Sequence, residues 1–309
     1  MRQRIAQRGG RRAPQSVHLV LPSKSRPFAE HHVPYPYAPT MRLFRSRTKR
    51  TTEIPVSRAM ALYRAGRYAE AVTEARAVAR SLPHDDTYAP LALSITANAT
   101  GAQGRHADAL AIYDEVLPGV GRTFGADHWQ TLKLRSDRAQ TLAALGQYAE
   151  CEAECAAVVQ MASRGTGELQ NVVRAASNGL VFALSAQERH PEAEARAREA
   201  LGAHPEPDRL TLALRLGLAR SLNGQARHEE ALAEAEHAHE LCRSLPADEI
   251  RPETGTIEVV VATALLGLHR GTEARLQAAA AHEACLASFG PDHRRTVEAQ
   301  ALLDRIDAA

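Results

Sequence analysis

The sequence predicts an all-α fold, an α-solenoid of about six helix–turn–helix units followed by a C-terminal capping helix. Three observations predict it. A six-residue phrase recurs: GRYAEA at 66–71, GRHADA at 104–109, GQYAEC at 146–151, ERHPEA at 188–193, ARHEEA at 226–231 and HRGTEA at 269–274. The phrases stand 38, 42, 42, 38 and 43 residues apart, a period that belongs to stacked supersecondary units. The 309 residues are 44% hydrophobic but only 4% aromatic, so the core must come from Ala, Leu and Val. Ala and Leu lose little entropy in a helix, which favours packed helices over sheets.

In chain order, residues 1–50 mix Arg, Pro, Gly and Ser without periodicity, and VPYPYAP at 33–39 alternates proline with aromatics as an extended chain does. This segment is expected to be a disordered tail. Met41 opens MRLFRSRTKR, so residues 1–40 could precede the true start of translation, which the intact mass of the native protein would decide. The repeat domain spans 51–309. Each phrase lies between two stretches of helical periodicity, such as TLKLRSDRAQTLAAL at 131–145 and AECEAECAAVVQMA at 149–162. The unit is therefore helix A, a short turn, then helix B.

Within the phrase, the first position (Gly66, Gly104, Gly146) ends helix A where left-handed backbone is wanted. The third carries a ring (Tyr68, His106, Tyr148, His190, His228) able to wedge between helices. The sixth is small: Ala71, Ala109, Cys151, Ala193, Ala231 and Ala274. Seven residues before the phrase, helix A is small too, at Ala59, Ala97, Ala139, Ala219 and Ala262, with Val181 the exception. Paired small sites let A and B nest. The last stretch, RRTVEAQALLDRIDAA, is a seventh helix A without a partner. Asp304 stands there in place of the small residue, and an acid stops further stacking.

The small residue of helix A, the Gly-x-aromatic turn and the Ala of helix B resemble the tetratricopeptide repeat family, over roughly residues 52–309. Pro83 and Pro205 match the proline that ends the family's repeats. FGADHWQTL at 124–132 and FGPDHRRTV at 289–297 are similar to the Gly-x-Asp-His link of the kinesin-light-chain subtype, with Trp129 and Arg294 where that subtype often has proline. The resemblance implies a right-handed superhelix whose A helices line a concave groove. It further implies a non-catalytic scaffold or adaptor for a protein or peptide. Carried onto this sequence, the family's groove positions are Asn98, Lys133, Ser136, Asp137, Gln140, Asn178, Phe182, Arg220 and Asn223.

The residues offer little chemistry of another kind. The three lysines, Lys24, Lys49 and Lys133, follow no phosphate-binding glycine loop. No Gly-x-Ser-x-Gly elbow and no His-Glu-x-x-His is present. An enzyme is not expected, nor a cofactor. Cys151 and Cys155, i and i+4 on helix B, occupy places where unit five has Ala231 and Ala235, so small packing residues are expected. His239-x-x-Cys242 recurs as His282-x-x-Cys285, 43 residues on. Those four are candidate zinc ligands, against the simpler reading that one repeat was duplicated.

Charge divides the chain. Residues 1–50 carry +11 and the remainder −9. The basic arm gives an alternative function, contact with nucleic acid or an acidic partner, although no helix-turn-helix accompanies it. Four cysteines are too few for a secreted disulfide framework, and neither a signal sequence nor an apolar run long enough to cross a membrane is present. A cytoplasmic protein is expected. With 35 Arg to 3 Lys, a GC-rich bacterial gene is expected too.

Overall fold

The computed structural model describes residues 56–308 apart from 84, 85, 87 and 205. The basic segment 1–50 with Met41, and Pro205, lie outside the described residues. The described residues form α-helices, with one short 3-10 turn and no strand. Unit one pairs α1 (Ser57–Arg64) with α2 (Tyr68–Ser81), and unit two α3 (Tyr88–Ala102) with α4 (His106–Phe124). Unit three is α5 (Trp129–Ala144) and α6 (Tyr148–Ala162), and unit four α7 (Glu168–Ala186) and α8 (His190–Ala203). Unit five is α9 (Arg209–Gly224) and α10 (His228–Ser244). A four-residue helix, α11 (Ala247–Ile250), precedes unit six, which is α12 (Thr256–Gly267) and α13 (Gly271–Phe289). The unpaired helix α14 (Arg294–Asp307) follows. The molecule is an all-α solenoid.

All six phrases build one turn. Gly66, Gly104 and Gly146 have φ of +74°, +80° and +78°. The other phrases hold Glu188, Ala226 and His269 in the same left-handed region, at +60°, +58° and +59°, with no glycine to ease it. The bend survives because the next N–H closes a Schellman bond onto helix A in every unit, from Arg67 to Leu62 (3.0 Å) through Arg270 to Leu265 (2.9 Å). The second phrase position is Arg in five units. It pairs with the acid three residues on: Arg67–Glu70, Arg105–Asp108, Arg189–Glu192, Arg227–Glu230 and Arg270–Glu273. Arg189 and Arg227 also reach back to Glu152 (2.7 Å) and Glu194 (2.6 Å) of the preceding unit, forming a charged ladder along the turns.

The small sites are all buried, from Ala59 and Ala71 to Ala262 and Ala274. Ala97 shares a cluster with Ala109, and Ala262 with Ala274, so A and B of one unit do nest there. Val181 is accommodated because Gly217 lies opposite, where an added β-carbon would come within 2.8 Å of the valine. Cys151 and Cys155 are fully buried free thiols, their sulfurs 4.0 Å apart, in the same core cluster as Ala231. The rings act between units. His190 packs on Gly224 of α9, His228 on Gly267 of α12, and Tyr148 meets Phe182 of α7 edge-on, with 6.2 Å between ring centroids.

The link FGxDH recurs as one device. Gly125 and Gly290 bend the chain at φ of +100° and +86°. Nδ1 of His128 and of His293 then accepts the N–H of Gln130 and of Arg295, each at 3.3 Å, capping α5 and α14. The preceding Phe stacks on the histidine, with centroids 5.1 Å apart for Phe124 and 4.5 Å for Phe289. Thr131 and Thr296 complete the link by donating to the carbonyls of Gly125 (2.7 Å) and Gly290 (2.8 Å). At α9 an aspartate does the same work: Asp208 accepts from the Thr211 N–H (2.8 Å) and pairs with the buried Arg174 of α7. On α14, Asp304 is exposed and accepts a bond from Gln300 (2.7 Å), on a face no B helix covers.

Candidate ligand-binding chamber

Successive A helices lie side by side, so polar residues one turn apart on α5, α7 and α9 share one inner wall. That wall bounds a chamber of about 630 Å³, within the size range of small-ligand sites. Gln140, Asn178, Phe182 and Arg220 line it. The opposite side comes from two late elements: Glu253 and Thr254 of the connection into α12, and Arg294, Arg295 and Glu298 of α14.

Long-range contacts draw the early and late units together. Nη1 of Arg251, just after α11, donates to the Arg64 carbonyl at the end of α1 (2.8 Å), and lies where a side chain at Gly66 would be. Arg294 of α14 lies over the Phe182 ring of α7, 5.5 Å from its centroid. The His106 imidazole, at the start of α4, is pushed below its ordinary pKa by burial and then by the charge of Arg294. The concave face is therefore a partly enclosed chamber rather than an open trough.

Residues 96–130 match the tetratricopeptide repeat family model. That stretch carries a tetratricopeptide repeat. A point variant of a kinesin light chain from Podosopora anserina, made of nearly identical TPR-like repeats, has a similar fold: TM-score 0.50, 19% identity, 60% of this chain and 92% of that one covered. The parent of that variant gives a TM-score of 0.49 at 19% identity, covering 62% and 94%. A tetratricopeptide repeat protein from Parabacteroides merdae gives 0.45 at 14%, covering 82% and 97%. No curated protein matches the chain in sequence.

The groove residues named from the sequence separate into two sets. Gln140, Asn178, Phe182 and Arg220 meet in the chamber. Asn98, Lys133 and Asp137 instead hold one another: Asn98 donates to Asp137 (3.4 Å), Lys133 pairs with Asp137, and the Tyr113 hydroxyl of α4 donates to Oδ1 of Asn98 (2.7 Å). Ser136 is fully buried beside them. Asn223 is used inside the packing between units, donating to the Val260 carbonyl (2.9 Å) and meeting Nδ1 of His228 at 3.1 Å.

Missing from that set are the arginines of α14 and the connection 251–255. They face the chamber only because the superhelix turns back on itself, which no local window encodes. The signal at hand was the clustering of Arg294 and Arg295 directly after the capping histidine. Of the zinc candidates, His239 is exposed, Cys242 packs with Leu212 and Ala238, and buried Cys285 donates to the Thr254 carbonyl (3.5 Å). His282 is half-buried. Among the described residues no three His, Cys, Asp or Glu are grouped to hold a metal ion. Nor, among them, is any helix long and apolar enough to cross a membrane.

Proposed function

We propose that the protein is a non-catalytic scaffold or adaptor that holds a protein or peptide segment in the chamber of its A helices. The observation that carries this reading is the convergence of Gln140, Asn178, Phe182 and Arg220, from three successive A helices, on one 630 Å³ space. Amide groups suit the backbone of an extended segment, and Phe182 offers an apolar anchor. The helices beneath are held by buried small-residue contacts, so little ordering is needed on binding.

The test is affinity capture from the source cells with the full chain beside a Gln140→Ala/Asn178→Ala chain. A partner enriched by the native protein and reduced tenfold or more by the double variant supports the chamber. A partner held equally by both places binding elsewhere. In that case removal of residues 1–50, whose charge is +11, tests the second reading, contact with nucleic acid or an acidic partner through the basic arm.

A further inference from the structure

The chemistry of the chamber narrows what its ligand must carry, given that the chamber is the seat. Arg220 extends from α9, half-buried, with its guanidinium 5.5 Å from the Phe182 ring centroid. It has no ion pair or hydrogen bond among the described residues. Arg294 reaches the same ring from α14, but its charge is answered by Glu298 (2.6 Å), as that of Arg295 is by Glu253 (3.5 Å). Arg209 and Arg305 also line the chamber, and among the described residues neither forms an ion pair, although the charge of Arg209 is felt by Glu249. Five guanidiniums thus face two carboxylates.

Such an excess is costly in a desolvated space. Burial pulls the Arg220 guanidinium below its ordinary value; Glu298 opposes this and Arg295 adds to it, with smaller opposite effects of Glu253 and Arg294. A half-buried cation without a counter-ion is retained against its desolvation cost, and an arriving anion relieves that cost. We infer that the chamber recognises a phosphate group borne by its ligand, with Arg220 as the principal donor and Arg294 and Arg295 closing from α14. The guanidinium fork matches a phosphate with two parallel bonds, and the aromatic face of Phe182 holds the fork in place. A single carboxylate would leave two of the three excess charges unanswered, whereas a phosphate carries nearly two. Bound there, it would tie α9 to α14 across the chamber.

The probes are inorganic phosphate, a phosphoserine tripeptide and its unphosphorylated twin. Each is titrated calorimetrically into the full native chain, Arg220→Met and Arg220→Lys, at constant ionic strength set with chloride. Circular dichroism confirms that the variants are helical. Native protein should bind phosphate in preference to chloride, Arg220→Met about tenfold or more weakly, and Arg220→Lys in between, because lysine keeps the charge but not the fork. Without phosphate, Arg220→Met should melt no lower than native, since an uncompensated charge has gone.

The phosphopeptide binding more tightly than free phosphate identifies a phosphorylated protein segment as the source, and equal binding a small anion. Either supports the phosphate site. Binding of phosphate no better than chloride, or equally by native and Arg220→Met, overturns it. The Gln140/Asn178 comparison is separate, so failure of the phosphate site leaves the scaffold reading standing or falling on its own result.

Discussion

Gly267 lies in ordinary helical backbone, yet a β-carbon there would come within 2.1 Å of the His228 ring. Two residues on, His269 carries the opposite problem, a left-handed backbone without a glycine. Both follow from the same need: helix A must stop abruptly so that the ring opening the previous helix B can sit against its end. Gly267→Ala should therefore cost about 1–3 kcal/mol through overpacking. Ala226→Gly, at the equivalent left-handed site of unit five, should stabilise by about 1 kcal/mol by removing a steric conflict with its own β-carbon. Urea unfolding of the two variants beside native protein checks both signs. The turn and its small partners were legible in the sequence, because each is fixed by residues within one phrase. The Arg–acid pair at the second and fifth positions was written there as plainly. It is a surface pair whose meaning, a ladder between turns, emerges only once units stack.

At the scale of the element, the caps between units set how each new helix A starts. His128 and His293 cap as neutral acceptors through Nδ1. Burial depresses both imidazoles, and for His293 the charges of Arg295, Arg294 and His106 add to it. The unfolded chain takes up its proton near pH 6.5, while the folded one resists it to lower pH. This contribution is therefore complete above about pH 6.5 and is lost as pH falls through the depressed folded values.

Asp208 acts in a lower window. Burial works against its charge, but the hydrogen bond from Arg174, then the Thr211 N–H and the arginine's charge, hold its carboxyl below the ordinary value. Its contribution is lost only below about pH 4. Denaturant unfolding at pH 8 and pH 5 should show native protein losing more stability than His128→Asn/His293→Asn, whose amide caps do not titrate. Equal losses would remove the histidines from the acid response. The Gly-x-Asp-His link was visible as a motif. Its capping geometry, and the threonine that ties it shut, needed coordinates.

At the scale of the molecule, curvature is the sum of small rotations between neighbouring units. Sequence carries each rotation only implicitly, as side-chain volumes at buried sites. Hence the approach of Arg251 to the Arg64 carbonyl, 187 residues apart, and of Arg294 to Phe182 could not be foreseen. The same limit explains the division of the groove residues. Lys133 and Asp137 stood at groove positions by register, but they pair with each other and Asp137 also accepts from Asn98 of the neighbouring A helix, whereas Gln140 and Asn178 face the space that closure creates.

The central claim is that this enclosed space, and not the convex surface, receives the ligand. Amide hydrogen exchange of the full chain, free and with its captured partner, tests it most directly. Protection should rise in 140–148, 178–186, 209–220, 251–256 and 294–305, the segments that wall the chamber. Protection confined to the outward B helices α2, α8 and α10, with those segments unchanged, would contradict it.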